Sequence, residues 1–339
     1  MSRLILTVLF LSVSPVVSPA LSQGTKDAKK RFDPTKQGGR RIVEEYTWKG
    51  TNRKRLVLRL DLGKGVTLDL VRIKKGTFKM GSPKNDKDAD KDELPQHTVK
   101  IDRDFYIGKF EITRRQFARF IEITGHKTAA ETNGMGACDY DPVTGGVPWR
   151  KNLRWSKAGF IQNQDHPVVN VSWNDALAFC NWLKKKTRRP IQLPTEAQWE
   201  YSCRGGAETI YFTGDNPKSL SEYANVRDAR AKAKWGVGNI FLFDDGFAYT
   251  SPVGSYLPNG FGLYDMLGNV WEWCQSSWTE NYTQTKTKES RVLRGGAWGD
   301  GAPSSSRCAF RGCMSPLRAI NDLGFRVALT PADQGTKRR

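Results

Sequence analysis

Glycine and proline interrupt this chain throughout its length and limit the kind of fold it can adopt. The sequence holds 32 Gly and 16 Pro among 339 residues, and both residue types end regular elements more often than they extend them. Aromatic residues are plentiful, with 11 Trp, 10 Tyr and 16 Phe, so the chain can bury a substantial core. These features predict a loop-rich globular protein without long helices.

The first 22 residues have the organisation of a secretory signal peptide. Arg3 precedes a short apolar run over residues 4–17, and Ala20-Leu21-Ser22 supplies the small residues of a cleavage site. No later segment approaches the roughly 20 uninterrupted apolar residues that cross a membrane. We therefore expect a secreted or periplasmic protein that is not an integral membrane protein once processed. The alternative is an uncleaved N-terminal anchor.

Both ends of the chain are polar and basic. Residues 23–45 are rich in Lys, Arg, Gly and Pro and are predicted to form a flexible basic spacer, and residues 332–339 form a basic tail. Between them we find no break in composition and no internal repeat, so residues 46–331 are predicted to form one domain. The formal net charge of +19 favours acidic partners. Nucleic acid is not expected, because we expect the protein to be exported and its aromatic residues form apolar strings.

Three helices are predicted from their first residues. Thr113, Ser172 and Thr195 each stand before an apolar helical repeat, and Gln116 and Gln198 complete a capping-box pattern after two of them. These short helices are the regular elements that the sequence announces most clearly.

Common catalytic motifs are missing from the sequence. The three histidines lie in separate segments, and no G-x-S-x-G turn, phosphate-binding G-x-x-x-x-G-K-[ST] loop or H-E-x-x-H helix occurs. Oxygen donors instead cluster in Asp244-Asp245-Gly246-Phe247 and between Asp265 and Glu272, where short loops could bind Ca²⁺. Ordinary surface turns would explain the same residues. The six cysteines of an exported protein can form disulfides, and the sequence alone leaves fifteen complete pairings open.

Six motifs occur together and in order: GTFKMGS at 76–82, HPVVNVSW at 166–173, LPTEAQWEY at 193–201, GFGLYDMLGNVWEW at 260–273, RGGAW at 294–298 and GFRV at 324–327. Together they resemble the formylglycine-generating enzyme (sulfatase-modifying factor) family over about residues 66–329. The resemblance implies a single α+β domain with a C-type-lectin-like core and little regular secondary structure.

The resemblance also implies two structural calcium sites and one disulfide. The first site takes side-chain oxygens of Asn225 and Asp245 with the carbonyls of Val226 and Phe247. The second takes Asp265 and Glu272 with the carbonyls of Gly268 and Val270, and Asp265 stands where the family's enzyme has Asn. The implied disulfide joins Cys203 to Cys308.

The family's copper site is not present in this sequence. The enzyme oxidises a substrate cysteine through Cu(I) held by two thiolates shortly after the Gly-Gly pair. Counting forward from Gly296 places the first thiolate at Asp300, counting back from Cys308 places it at Trp298, and the second falls within residues 303–305. None of these positions is a cysteine, and oxygen ligands do not suit Cu(I). Copper is therefore not expected.

Cys308 and Cys313 have the spacing of the copper pair. The resemblance assigns Cys308 to the disulfide, however, and leaves Cys313 outside the site. We therefore do not expect these two residues to bind copper.

Two functions from different classes remain. The first is an exported, calcium-stabilised binding or scaffold module, whose groove near Trp271, Trp298 and Asp300 recognises a peptide or an anionic glycan. The second is a metal-dependent oxidoreductase with non-standard ligands such as Asp300, including formylglycine generation on sulfatases. The sequence leaves open whether the protein is an enzyme.

Overall fold

The computed structural model describes residues 39–238, 240–284, 289–300 and 303–331. The predicted signal peptide, residues 23–38 of the predicted spacer and the basic tail lie outside these ranges. The described residues belong to one compact unit. Among them, the helices are all too short or too polar to cross a membrane.

Fourteen strands and five α-helices are present in the described ranges. The strands are β1 Gly39–Trp48, β2 Thr51–Gly63, β3 Val66–Ile73, β4 Gly76–Met80, β5 His97–Ile101, β6 Phe105–Gly108, β7 Ala137–Cys138, β8 Trp149–Arg150, β9 Ile191–Gln192, β10 Trp271–Ser277, β11 Arg291–Arg294, β12 Arg311–Met314, β13 Leu323–Gly324 and β14 Ala328–Leu329. The helices are α1 Arg114–Thr124, α2 Ala129–Thr132, α3 Trp173–Thr187, α4 Glu196–Arg204 and α5 Ala229–Trp235. Short 3₁₀ turns lie at Lys91–Glu93, Pro217–Leu220 and Pro303–Ser306.

A six-stranded sheet in the order β1-β2-β3-β6-β14-β9 forms the centre of the fold. Its neighbouring strands are antiparallel. Because side chains alternate along a strand, β2 sends Leu58 and Leu60 into one apolar core with Phe117 of α1, and Val57 into a second core with Trp199 of α4. Both faces of the sheet are therefore covered.

The three predicted helices begin where the sequence indicates. Thr113, Ser172 and Thr195 each accept a hydrogen bond from the third helical N–H, and each helix start forms the full capping box. A cap of this kind contributes about 1 kcal/mol because it satisfies an N–H that the helix leaves without a partner. Gly205 ends α4 with a φ of 57°, a conformation that glycine adopts without strain.

A four-stranded sheet in the order β12-β11-β10-β13 carries the residues around the candidate site. Strands β10 and β13 are parallel, with Trp271 opposite Leu323 and Glu272 opposite Gly324. The chain leaves β11 at Arg294 and turns at once into the Gly295-Gly296 pair. Residues from the GNVWEW, RGGAW and GFRV motifs are thereby brought side by side.

The structure differs from the sequence prediction at residues 39–45, which lie in β1 and not in a spacer. Strand β1 pairs with β2 along its whole length, from Gly39 opposite Leu60 to Trp48 opposite Thr51. Glu44 accepts hydrogen bonds from Arg55, Arg59 and Lys109. The folded domain therefore begins by residue 39 and not at residue 46.

Candidate functional site

The groove predicted near Trp298 and Asp300 is built on a pair of glycines with positive φ. A Cβ atom on Gly295 (φ 100°) would lie 3.2 Å from the Trp199 ring, and one on Gly296 (φ 72°) would lie 2.5 Å from the Ser305 carbonyl oxygen. Any larger residue would push the chain outward. The turn is closed by Asp300 Oδ2, which accepts a 2.9 Å hydrogen bond from the Ala297 N–H.

Trp298 lies at the centre of an aromatic cluster. Its ring is surrounded by Tyr249 at 5.0 Å, Trp235 at 5.5 Å, Phe160 at 5.6 Å and Tyr140 at 6.0 Å between ring centroids. Trp298 itself is buried, whereas the four surrounding rings are only partly buried. The indole N–H of Trp298 has no hydrogen-bond partner.

Two carboxylates, Asp300 and Asp322, lie beside this cluster. Burial raises the pKa of Asp300 to about 7, against the opposing hydrogen bonds from the Ala297 N–H and the Trp271 side chain. Burial and the charge of Asp300 raise the pKa of Asp322 to about 8. Trp271 contacts both residues. Its side chain donates a hydrogen bond to Asp300, and its backbone N–H donates to the backbone carbonyl of Asp322 at 2.9 Å.

Tyr140 packs against the Trp298 ring and the loop that follows it. Its hydroxyl donates to the Gly299 carbonyl at 3.0 Å, and its backbone N–H donates to Asn321 Oδ1 at 2.8 Å. Burial and the charge of Asp300 raise its pKa to about 12, so the phenol stays neutral. Sequence reasoning missed Tyr140 and Asp322, because neither lies in a recognisable motif.

No pair of thiols is present in the described part of this groove. Cys308 is buried against Cys203 and Cys313 is exposed on β12, so these two do not form a copper pair. One cysteine that the sequence did not single out, Cys138, lies near Asp322. Its sulfur is buried and accepts a 3.3 Å hydrogen bond from Arg318 Nη2.

The residues of the first predicted calcium site fit an oxygen-bound cation. Asn225 is 1% exposed, and its Oδ1 is buried without a hydrogen-bond partner. Asp245 is held beside it by hydrogen bonds from the Val226 and Phe247 N–H groups at 2.7 and 2.9 Å. Burial raises the pKa of Asp245 to about 7. An amide oxygen left without a partner is costly unless a ligand satisfies it.

The second predicted calcium site fits only in part. Asp265 has a buried Oδ1 without a partner, as expected of a ligand. The carboxylate of Glu272 is instead taken up by Arg326, whose Nε and Nη2 donate to it at 2.6–2.9 Å, and by the Trp199 indole N–H at 2.9 Å. These contacts do not fit the predicted role of Glu272.

The two cysteines of the predicted disulfide are brought together as neighbouring thiols. Cys203 on α4 and Cys308 after the last 3₁₀ turn are fully buried, and their sulfurs are 3.7 Å apart. The structure contains them as free thiols. The pairing that the resemblance implies thus agrees with their position, although the bond itself is not formed.

A separate basic cavity lies at the C-terminal end of α3. It has a volume of about 690 Å³ and is lined by Asn181, Lys184, Lys185, Arg188, Arg189 and Pro190. None of these lining residues is acidic. Burial, and after it the nearby charge of Arg41, lowers the pKa of Arg189.

Comparisons with protein families, with individual proteins and with solved structures all find relatives of one kind. The model of the sulfatase-modifying factor enzyme 1-like domain matches residues 63–331. A formylglycine-generating enzyme of Streptomyces coelicolor is 35% identical over 289 residues, which covers 76% of this chain and 88% of that protein. An inactive C-alpha-formylglycine-generating enzyme 2 of Bos taurus is 32% identical over 293 residues, covering 79% and 90%. The solved structure of PvdO from Pseudomonas aeruginosa is 28% identical with a TM-score of 0.63, covering 80% of this chain and 97% of that one.

Proposed function

Because this chain belongs to the sulfatase-modifying factor family, we propose that it is an exported member that binds a protein or peptide and does not perform copper-dependent oxidation. The observation that carries the proposal is that Asp300, and no cysteine, stands where the first thiolate of the family's enzyme is expected, with the carboxylate of Asp322 close enough to act on it. Carboxylates are hard ligands and Cu(I) is a soft ion, so this donor set does not hold it. The similarity to both active and inactive relatives is compatible with a member that has lost the oxidation.

The surroundings of the groove support a peptide ligand. Ile161, next to Phe160 of the aromatic cluster, is 96% exposed, and Val143, three residues after Tyr140, is 61% exposed. Exposed apolar side chains beside a cleft are typical of interaction surfaces. An anionic glycan fits the groove less well, because Asp300 and Asp322 offer it no positive charge in either protonation state.

Copper content and aldehyde formation test the proposal. The full chain is titrated with Cu(I) against a chromogenic chelator and is incubated with a cysteine peptide under O₂, with the Streptomyces coelicolor enzyme as the positive control. We expect no copper bound in competition with the chelator and no aldehyde. Tight copper binding or conversion of the cysteine would favour the alternative, a metal-dependent oxidoreductase with non-standard ligands.

Selection of peptides from a random library tests the groove directly. We expect Phe160→Ala to weaken the selected peptides about tenfold, since it removes an aromatic wall from the groove. Phe78→Ala is the matched control, because Phe78 is also partly buried but packs on Tyr201 of α4. If the two variants weaken peptide binding equally, the groove is not the peptide-binding site.

The basic cavity supports an acidic glycan as a second partner. Lys184, Lys185 and Arg188 are exposed at the end of α3, and a concave surface lined with cations attracts sulfate or carboxylate groups. We expect the double variant Lys184→Gln/Lys185→Gln to elute from a sulfated polysaccharide column at lower salt than the wild type. The control is Lys127→Gln/Lys151→Gln, which removes the same charge from a cavity that also contains Glu131. Equal shifts would mean that net charge alone drives retention.

A further inference from the structure

Strand β1 forms one edge of the six-stranded sheet, and the short strand β9 forms the other. Strand β1 is 10 residues long and pairs with β2 in an uninterrupted register, whereas β9 has only 2 residues. No proline and no β-bulge occurs in β1. Proteins commonly protect an edge strand by keeping it short, by placing a proline in it or by introducing a bulge. The β1 edge lacks all three of these barriers to pairing with another strand.

The free backbone groups of β1 belong to its odd-numbered residues. Lys49 and Gly50, with φ of 46° and 73°, form a two-residue turn between β1 and β2. In such a turn the flanking residues, Trp48 and Thr51, exchange both backbone hydrogen bonds. Hydrogen-bonded pairs then recur at every second residue, so the even-numbered residues of β1 bond to β2. The N–H and carbonyl groups of the odd-numbered residues point toward an edge on which, within the described ranges, no strand lies.

One face of this edge carries an apolar side chain between two opposite charges. Val43 is 66% exposed, and Arg41 and Glu45, two residues to either side of it, are exposed as well. Because side chains alternate along a strand, all three lie on the same face of the sheet. Arg41 has no acidic partner within the described part of the chain, and its charge adds to burial in lowering the pKa of Arg189. The Arg41 cation is therefore available to an acidic group from outside.

The sequence of β1 is complementary to itself in antiparallel pairing. A two-fold axis through the edge at Val43 places Val43 opposite its own copy and Arg41 opposite Glu45 on both sides of the axis. All three pairs are formed by odd-numbered residues, so they exchange about six backbone hydrogen bonds. The neighbouring symmetric registers place Arg41 opposite Val43 or opposite Thr47 instead. On the other face, Glu44 already binds three cations and needs none from a partner.

We propose that this edge binds a second copy of the chain, in a two-fold symmetric dimer in which β1 pairs with β1 and the two six-stranded sheets become continuous. A symmetric dimer uses the same patch on both copies, which requires a self-complementary surface of this kind. Opposite charges directly across a strand pair favour the pairing. One strand pair is a small interface, so the dimer is weak and reversible. The proposal does not depend on what the groove binds.

Sedimentation equilibrium of the full chain, over about 1 to 100 μM, tests the dimer. We expect a monomer–dimer equilibrium for the wild type. Arg41→Glu places like charges opposite each other at two symmetric positions and should weaken the dimer at least about tenfold. The exchange Arg41→Glu/Glu45→Arg restores both charge pairs and should recover the association. Lys100→Glu, an exposed change on β5, is the matched control for net charge.

A cross-link tests the register. Residues of a hydrogen-bonded antiparallel pair have Cα atoms about 5.5 Å apart, a distance that a disulfide spans. In a Cys313→Ser background, which removes the exposed cysteine, Val43→Cys should form a covalent dimer under mild oxidation. Thr47→Cys, which is also exposed on β1, lies opposite Gly39 in this register and should not cross-link.

A chain that is monomeric at every concentration overturns the proposal and leaves the edge to a strand of another protein or to residues 1–38 of the same chain. A dimer that Arg41→Glu and Lys100→Glu weaken equally, or that Val43→Cys does not cross-link, is joined through another surface, which also overturns it. Unfolding of each variant at a concentration below the dissociation constant shows whether the monomer remains folded. None of these results bears on the copper and peptide experiments, so the two proposals can fail separately.

Discussion

The sulfur atoms of Cys203 and Cys308 lie 3.7 Å apart although 105 residues separate them in the chain. One comes from the last turn of α4 and the other from the loop that follows the groove. A bond between them would fix the groove loop to the helix that supports it. Such a bond would close a loop of about one hundred residues, and the length of that loop determines how much the bond stabilises the folded protein.

Oxidation of this pair is predicted to stabilise the protein. A cross-link across about one hundred residues stabilises by about 3–5 kcal/mol on the chain-entropy model. We expect Cys203→Ser to lower the free energy of unfolding of air-oxidised protein by this amount more than it lowers that of reduced protein, because the loss of the buried thiol affects both forms. Urea unfolding and thiol titration measure the two quantities.

Cys313→Ser serves as the control for that experiment, because Cys313 is exposed on β12. It should leave the unfolding free energy of oxidised protein unchanged. If oxidised wild type retains as many titratable thiols as reduced wild type, the pair does not form a bond.

Glu44 is predicted to contribute to stability far more than its neighbour Glu45. Glu44 bonds Arg55 and Arg59 of β2 and Lys109, which follows β6, whereas Glu45 pairs with the exposed Lys54 at the surface. We expect Glu44→Gln to lower the unfolding free energy by about 1–2 kcal/mol, and Glu45→Gln to change it by less than about 0.5 kcal/mol. Equal losses in urea unfolding would mean that β1 is not anchored through Glu44.

The sequence identified the helices and the family better than it identified the first strand. Capping boxes at Thr113, Ser172 and Thr195 are local signals, because the cap and its partner are three residues apart. Strand β1 carries an equally regular alternation of Ile42, Glu44, Tyr46 and Trp48, but the Gly and basic residues that precede them gave the segment the composition of a linker. The backbone hydrogen bonds with β2 hold this segment in the sheet although its composition resembles that of a linker.

Groove residues from separate parts of the chain could not be foreseen. Asp322 and Tyr140 reach the groove through contacts with Trp271 and Gly299 that span more than 50 residues. Asp300, Trp298 and Asp265 could be identified because they lie in or beside the motifs. Residues outside the motifs reach the same region only through tertiary packing, which the sequence does not reveal.

Arg326 is predicted to be essential for folding because it neutralises Glu272 in the core. Removing one partner of a fully buried ion pair leaves an uncompensated charge and costs about 3–5 kcal/mol. We expect Arg326→Met to destabilise by that amount in urea unfolding, and the double variant Arg326→Met/Glu272→Gln to recover part of the loss. Arg115→Met, which breaks an exposed pair with Asp165, should cost less than about 1 kcal/mol.

Failure of the double variant to recover any stability would mean that the hydrogen bonds of Arg326 to backbone carbonyls outweigh its charge pairing. The comparison therefore separates charge compensation from backbone anchoring.

Asp322 is predicted to make the protein less stable as the pH rises from about 4 to about 8. Its pKa is raised from 3.8 to about 8 in the folded state, so between these values the folded protein binds more protons at Asp322 than the unfolded chain does. Stability then falls with increasing pH across that window and levels off above it. Asp300, Tyr140 and Cys138 face this group, and none of them supplies a compensating positive charge.

Replacing Asp322 with Asn should remove this pH dependence. The variant keeps the shape of the side chain but cannot acquire charge, so it is expected to be more stable than the wild type at pH 9 by at least about 1 kcal/mol and equally stable at pH 3. Chemical unfolding across the pH range measures the difference, and Asp102→Asn, an exposed change, is the control. A buried carboxylate whose ionisation costs stability is a candidate for a functional role. If Asp322→Asn instead lowers stability at pH 9, Asp322 is a structural residue and the groove loses one of the two carboxylates that distinguish it.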